Sequence, residues 1–137
     1  MAASANPTTA ISGTGGCLCG AVRFELTGPL RDVVLCHCAM CRKTHGHVAA
    51  YTAVARAGLV LVEQRGLRWF RSSPIAQRGF CADCGASLFW DGAGRDTISI
   101  AAGTLDPPTG LKTIIQLHAG SASDYYPIEL DIPRRVD

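Results

Sequence analysis

Hydrophobic positions in this chain recur mostly at every second residue and in short runs. Val22-Arg-Phe-Glu-Leu26 alternates apolar and polar, the pattern of a half-buried strand, and Gly28-Pro29 ends it. Val33-Val-Leu35 runs directly into a group of cysteines. Val48 to Val54 is apolar or small, with Tyr51 and Thr52 inside it. Leu59 to Glu63 and Leu67 to Arg71 read as strands on either side of a turn at Arg65-Gly66. Ser87 to Trp90 is followed by a turn at Asp91-Gly-Ala-Gly94. Thr97 to Ile100 and Thr113 to Leu117 are two further strands, separated by the break Leu105-Asp-Pro-Pro108. Long helical periodicity is absent, and the one helix expected is a turn or two around Ala39 to Thr44. The pattern therefore predicts a mainly β domain of short antiparallel strands with very little helix.

At 137 residues the chain has the length of one domain with a modest core. Residues 1–14 are small and polar and are expected to form a disordered arm, which leaves residues 15–137 as the folded domain. An apolar fraction of 47% excludes a wholly disordered chain. The longest apolar stretch, Gly58 to Val62, has strand length and is far short of a membrane span. The N-terminus lacks the basic start and apolar centre of a signal peptide, so a cytoplasmic location and no membrane partner are expected.

Chemistry enters with the seven cysteines, which fall into three tight clusters with none left over: Cys17 and Cys19; Cys36, Cys38 and Cys41; Cys81 and Cys84. An odd count and a reducing compartment argue against a disulfide framework. The spacing argues for metal. Cys17, Cys19, Cys81 and Cys84 make a four-thiolate site joining two distant hairpins, the arrangement of a structural zinc. Gly85 permits the turn that follows the second pair. Cys36, Cys38 and Cys41 supply three ligands from one segment, which leaves a corner for water or a substrate thiol. Those three are the candidate catalytic group, because soft sulfur donors favour thiol binding over hydroxide chemistry. His45 is the first candidate for a fourth ligand or a proton shuttle, and His37 is a weaker one. Arg42 and Lys43 could receive a substrate carboxylate, or they are simply solvated charges.

Two zinc ions per chain change the charge picture. The formal charge of +2 becomes −1 when seven thiolates and two divalent ions are counted. Nucleic acid is therefore not expected as a partner.

The segments Gly16-Cys-Leu-Cys-Gly-Ala-Val-Arg-Phe24, Cys36-His-Cys-Ala-Met-Cys-Arg-Lys43, Phe80-Cys-Ala-Asp-Cys-Gly-Ala-Ser87 and Gly103-Thr-Leu-Asp106 resemble the glutathione-dependent formaldehyde-activating enzyme family, also called the GFA or centromere protein V domain. The resemblance runs from about Gly15 to Pro133. It implies a zinc-stapled β-tent, a structural zinc on Cys17, Cys19, Cys81 and Cys84, and a second zinc on Cys36, Cys38 and Cys41. It further implies a carbon–sulfur lyase-type activity on a thiol–aldehyde adduct such as S-hydroxymethylglutathione, with glutathione as the small-molecule thiol partner. Ser73 and Arg78 look like the family's serine and arginine positions. Many members carry His-Ile and an aromatic, then Lys-Ala and Trp, near the C-terminus. Here that stretch reads Gln116-Leu-His118 and then Ser121 to Tyr125, with Tyr125 and Tyr126 as candidates for the missing packing. A non-catalytic zinc module and a metal or thiol buffer are the competing readings. Aromatics at 7% and scattered argue against a binding module, which would show a surface cluster.

Overall fold

A computed structural model describes residues 10–137. Ten strands and one α-helix follow in order, with three single-turn 3-10 helices between or after them: β1 (Ile11–Gly16), β2 (Arg23–Thr27), β3 (Val33–Cys36), α1 (Ala39–His45), β4 (Ala49–Ala55), β5 (Leu59–Glu63), β6 (Leu67–Ser73), β7 (Ala76–Cys81), β8 (Ser87–Gly92), β9 (Thr97–Ala101) and β10 (Thr113–Leu117). The mainly β reading is borne out, and eight of the strands lie where the apolar pattern placed them.

Three features differ from expectation. Residues 1–9 of the expected arm lie outside the described residues, but Ile11–Gly16 is strand β1 and not arm. Its stabilising contacts are backbone pairing with β2 and the Ser12 hydroxyl, which donates to the carbonyls of Leu26 (3.2 Å) and Gly28 (2.6 Å). A glycine-rich strand held by its backbone carries no hydrophobic signature. Strand β7 was also unmarked, because Ala76-Gln-Arg-Gly-Phe80 does not alternate. Finally, β10 pairs with β3 in parallel, so one of the two sheets is mixed and not purely antiparallel.

The strands form a three-stranded sheet in the order β1-β2-β5 and a seven-stranded sheet in the order β10-β3-β4-β9-β8-β7-β6. Alternation along β5 points Leu59 and Leu61 inward and leaves Val60 and Val62 more exposed. The main core contains Phe24, Leu26, Val54, Leu88, Phe89, Ile98 and Ile100, together with Cys17 and Cys81. Phe24 meets Phe89 edge-on at 5.5 Å, an arrangement favoured by ring quadrupoles. A smaller cluster gathers Cys36, Cys41, Ala49, Tyr51 and Ala101. Parity along β4 separates the two clusters: Ala49 and Tyr51 belong to the smaller one and Val54 to the larger. The two cysteine groups are thus built into different cores.

Candidate metal centres and the adjoining cavity

Cys17 follows β1, and the bends of residues 18–22 return the chain to β2. The Cys17 N–H donates to the Val22 carbonyl at 3.0 Å, and the Val22 N–H donates back to Cys17 Sγ at 3.2 Å. Cys81 ends β7, and the Gly85 N–H closes the following turn on the Cys81 carbonyl at 2.8 Å. Gly85 holds φ +81°, the left-handed conformation expected of a glycine there. A second glycine is required by proximity, because a Cβ on Gly66 would lie 2.8 Å from Cys81 Sγ.

The sulfurs of Cys17, Cys19, Cys81 and Cys84 all lie within 4.8 Å of one another. Cys19 Sγ is 3.7 Å from both Cys17 Sγ and Cys81 Sγ. Metal–sulfur bonds of about 2.3 Å in a tetrahedron give edges of about 3.8 Å, so the donor set fits a tetrahedral soft-metal ion. Every cysteine among the described residues is free. Backbone N–H groups from Ala86 and Cys19 bring the Cys84 thiol down to about 6, which favours the thiolate a metal needs.

The second group lies on one short segment. Cys36 ends β3, Cys38 is the N-cap of α1, and Cys41 is in the first turn of that helix. The Cys41 N–H points at Cys38 Sγ at 3.4 Å. The three sulfurs lie within 4.8 Å of one another, and among the described residues no histidine or carboxylate joins them. The Cys36 thiol donates to Cys41 and, against the effect of burial, lowers it to about 5, with Arg78 acting in the same direction. The same hydrogen bond and burial push Cys36 up.

Arg78 ties this group to its surroundings. It is 7% exposed; Nη2 donates to Cys41 Sγ at 3.7 Å, and Nη1 donates to Thr44 Oγ1 and to the Tyr51 hydroxyl at 3.1 Å each. Burial disfavours its charge, yet the Cys41 hydrogen bond and the nearby Tyr51 outweigh it and hold the guanidinium protonated. Its Nε is buried without a partner among the described residues. Ser73, by contrast, accepts the Ile75 N–H at the end of β6 and contributes to a turn.

The histidines are placed differently from their sequence candidacy. His45 does not join the sulfurs; its Nε2 lies 2.6 Å from the Tyr51 hydroxyl. His37 is buried beside two cysteines, but both ring nitrogens are engaged: Nδ1 with the Tyr126 hydroxyl at 2.7 Å and Nε2 with Gln116 Oε1 at 3.0 Å. Backbone geometry explains this. The His37 N–H donates to the Leu117 carbonyl of β10, so the ring sits under the C-terminal chain and away from the sulfurs. Tyr126 stacks on His37, and the Tyr125 hydroxyl meets His47 Nδ1. Arg42 is drawn back to the His37 carbonyl at 3.2 Å through Nε.

Burial and the Arg78 charge bring the His45 imidazole down to about 4. The unfolded chain then binds a proton that the folded one does not, so this residue makes stability rise with pH between about 4 and the ordinary value of 6.5. An NMR titration of the His45 ring is expected to show a midpoint near 4; a midpoint near 6.5 would remove this contribution.

A cavity of about 280 Å³ is lined by Thr44, His45, Tyr51, Arg78, Phe70 and Phe80 among others; none of the cysteines lines it, and Arg78, which donates to Cys41, links it to the three-cysteine group. A wider cavity of about 460 Å³ shares Thr44, His45, Gly85 and Ser87 with it. The Ser87 hydroxyl donates to the Thr44 carbonyl at 2.7 Å and pins α1 to β8 along that shared wall.

The sequence profile of the glutathione-dependent formaldehyde-activating enzyme family matches residues 12–121 of this chain. The chain belongs to that family. The family match contains all seven cysteines and ends before Tyr125 and Tyr126, so the packing of those tyrosines on His37 and His47 lies outside the profile. The fold is also similar to that of a crystal structure of a Rhodobacter sphaeroides protein, with 24% identity, a TM-score of 0.58, and coverage of 73% of this chain and 97% of that one. Among the described residues no helix is long and apolar enough to cross a membrane.

Proposed function

We propose that the protein is a zinc-dependent carbon–sulfur lyase-type enzyme acting on a thiol–aldehyde adduct like S-hydroxymethylglutathione. The observation that carries this reading is the inequality of the two cysteine groups, four gathered sulfurs in one and three in the other with no further ligand atom beside them among the described residues. In this reading Cys17, Cys19, Cys81 and Cys84 hold a structural zinc. Cys36, Cys38 and Cys41 are the catalytic set and hold the second zinc, giving two ions per chain. A zinc held by three thiolates keeps one position, at which a substrate thiol would lose its proton. Family membership supports glutathione as a thiol partner. Seven free cysteines suit a reducing, cytoplasmic setting.

The chain's own residues supply the remaining functions. Arg78 offsets the negative charge of the three-thiolate group, and it orients the Tyr51 hydroxyl at the cavity wall together with His45. In the condensation direction the sulfur lone pair forms the C–S bond with the aldehyde carbon. The carbonyl π pair moves to oxygen, which takes up the proton released from the thiol. Cleavage of the adduct is the reverse.

The test is metal content followed by thiol titration. Two equivalents of metal are expected, and a mild chelator should remove the one at Cys36, Cys38 and Cys41 first while the fold survives. Cobalt in that site is expected to give an absorption spectrum that shifts when a small thiol is added. Cys38→Ser should abolish the shift without unfolding the domain. A spectrum indifferent to thiols would leave the non-catalytic reading as the better one.

A further inference from the structure

The 280 Å³ cavity has a chemistry that glutathione does not explain. Thr44 and His45 follow Cys41 by three and four residues, so one face of α1 carries both the thiol and a cavity wall. Arg78 reaches Cys41 from the same wall. Beside Arg78 the lining is aromatic: Phe70 is its partner across the β6–β7 pair, and Phe80 lies two residues on, on the same face. Phe70 is 59% exposed, whereas the Phe89 ring packs over Gly79 with Trp69 on the opposite face of the sheet, 2% exposed in the main core. The lining contains no acidic side chain, and its one cation already directs Nη1 and Nη2 at Thr44, Tyr51 and Cys41. Glutathione has two carboxylates and an ammonium group, none of which finds an available side-chain counter-charge there. An apolar cavity of about 150 Å³ is enough to hold benzene. This one has room for a ring and the atoms linking it to sulfur.

We infer that the cavity is a subsite for a ring-sized apolar substituent on the substrate thiol, with Phe70 as a specificity-determining residue. The inference rests on the reading of the Cys36, Cys38 and Cys41 group as the thiol-binding centre, and it narrows the thiol class that this centre takes. Burial of the substituent against Phe70 and Phe80 would supply the discrimination, and Arg78, which lines the cavity and donates to Cys41, joins the subsite to the thiol-binding centre.

The test uses the full chain with cobalt at the three-cysteine site, titrated with benzyl mercaptan, 2-mercaptoethanol and glutathione and followed by absorption. Benzyl mercaptan is expected to bind about tenfold or more tighter than 2-mercaptoethanol, the scale of burying one ring. Phe70→Ala, at an exposed position, is expected to narrow that ratio to about threefold while the melting temperature holds. The variant comparison separates the subsite from the general greasiness of the thiol. Equal affinities, tightest binding by glutathione, or a ratio unchanged in Phe70→Ala overturns the subsite and leaves the thiol-binding centre standing. If no thiol shifts the spectrum, the thiol-binding centre fails and the subsite with it.

Discussion

Replacing Cys81 by serine is expected to leave the domain largely unfolded. Cys81 is fully buried in the main core, and its sulfur is 3.7 Å from that of Cys19, 62 residues earlier. A metal at this position therefore ties β7 to the turn after β1. Structural zinc contributes on the order of 10 kcal/mol to folding in small domains. Total stability of such a domain is about 5–15 kcal/mol. Losing one of four ligands removes a large share of that total, and serine puts a hydroxyl into the core cluster that also contains Leu88, Phe89 and Ile100. Cys38→Ser is the control, because Cys38 is half-buried and its group closes only one short segment. Circular dichroism and thermal melts should show Cys81→Ser without a cooperative transition and Cys38→Ser with one. Equal melting temperatures for Cys81→Ser and the parent protein would show that the four-cysteine group does not hold the fold together.

The second large effect is expected at Arg78. Methionine there keeps much of the buried volume and removes every donor. Thr44 Oγ1 and the Tyr51 hydroxyl each lose a hydrogen bond, which should lower stability by about 1–3 kcal/mol. The metal centre should suffer more. Three thiolates on a divalent ion carry a net negative charge, and Arg78 is the buried cation that meets it through Cys41. Loss of such an outer partner typically weakens metal affinity about 10- to 100-fold. Competition with a chelator should show that loss at the three-cysteine site and no change at the four-cysteine site. Arg78→Lys should fall between the two, because lysine keeps the charge and lacks the fork that reaches Cys41, Thr44 and Tyr51 together. Unchanged affinity in Arg78→Met would mean that the guanidinium only braces α1.

How much of this was legible beforehand follows from which interactions write themselves into short-range patterns. Alternation or a short apolar run marked eight of the ten strands, because a strand buried on one face alternates and one buried on both reads as continuous apolar sequence. It missed β1 and β7, where pairing rests on the backbone and the side chains follow no period of two. Cysteine spacing singled out both clusters, since ligands on one turn or one hairpin must lie a few residues apart. It offered no way to place the histidines. His45, four residues after Cys41, was a reasonable ligand candidate by proximity, yet its ring turns to Tyr51 on β4. His37, between two cysteines, turns under Gln116 and Tyr126, 79 and 89 residues away.

The sequence by itself determined the mainly β architecture, the grouping of the cysteines into four and three, and the family, because each depends on residue type and local spacing. Only the tertiary structure decided the parallel docking of β10 on β3, the placement of Arg78 against Cys41, and the aromatic cavity beside it. Each of these joins segments far apart along the chain, and contacts of that kind are set by strand order in the seven-stranded sheet and by the packing of α1 on it, leaving no periodic trace in either segment alone.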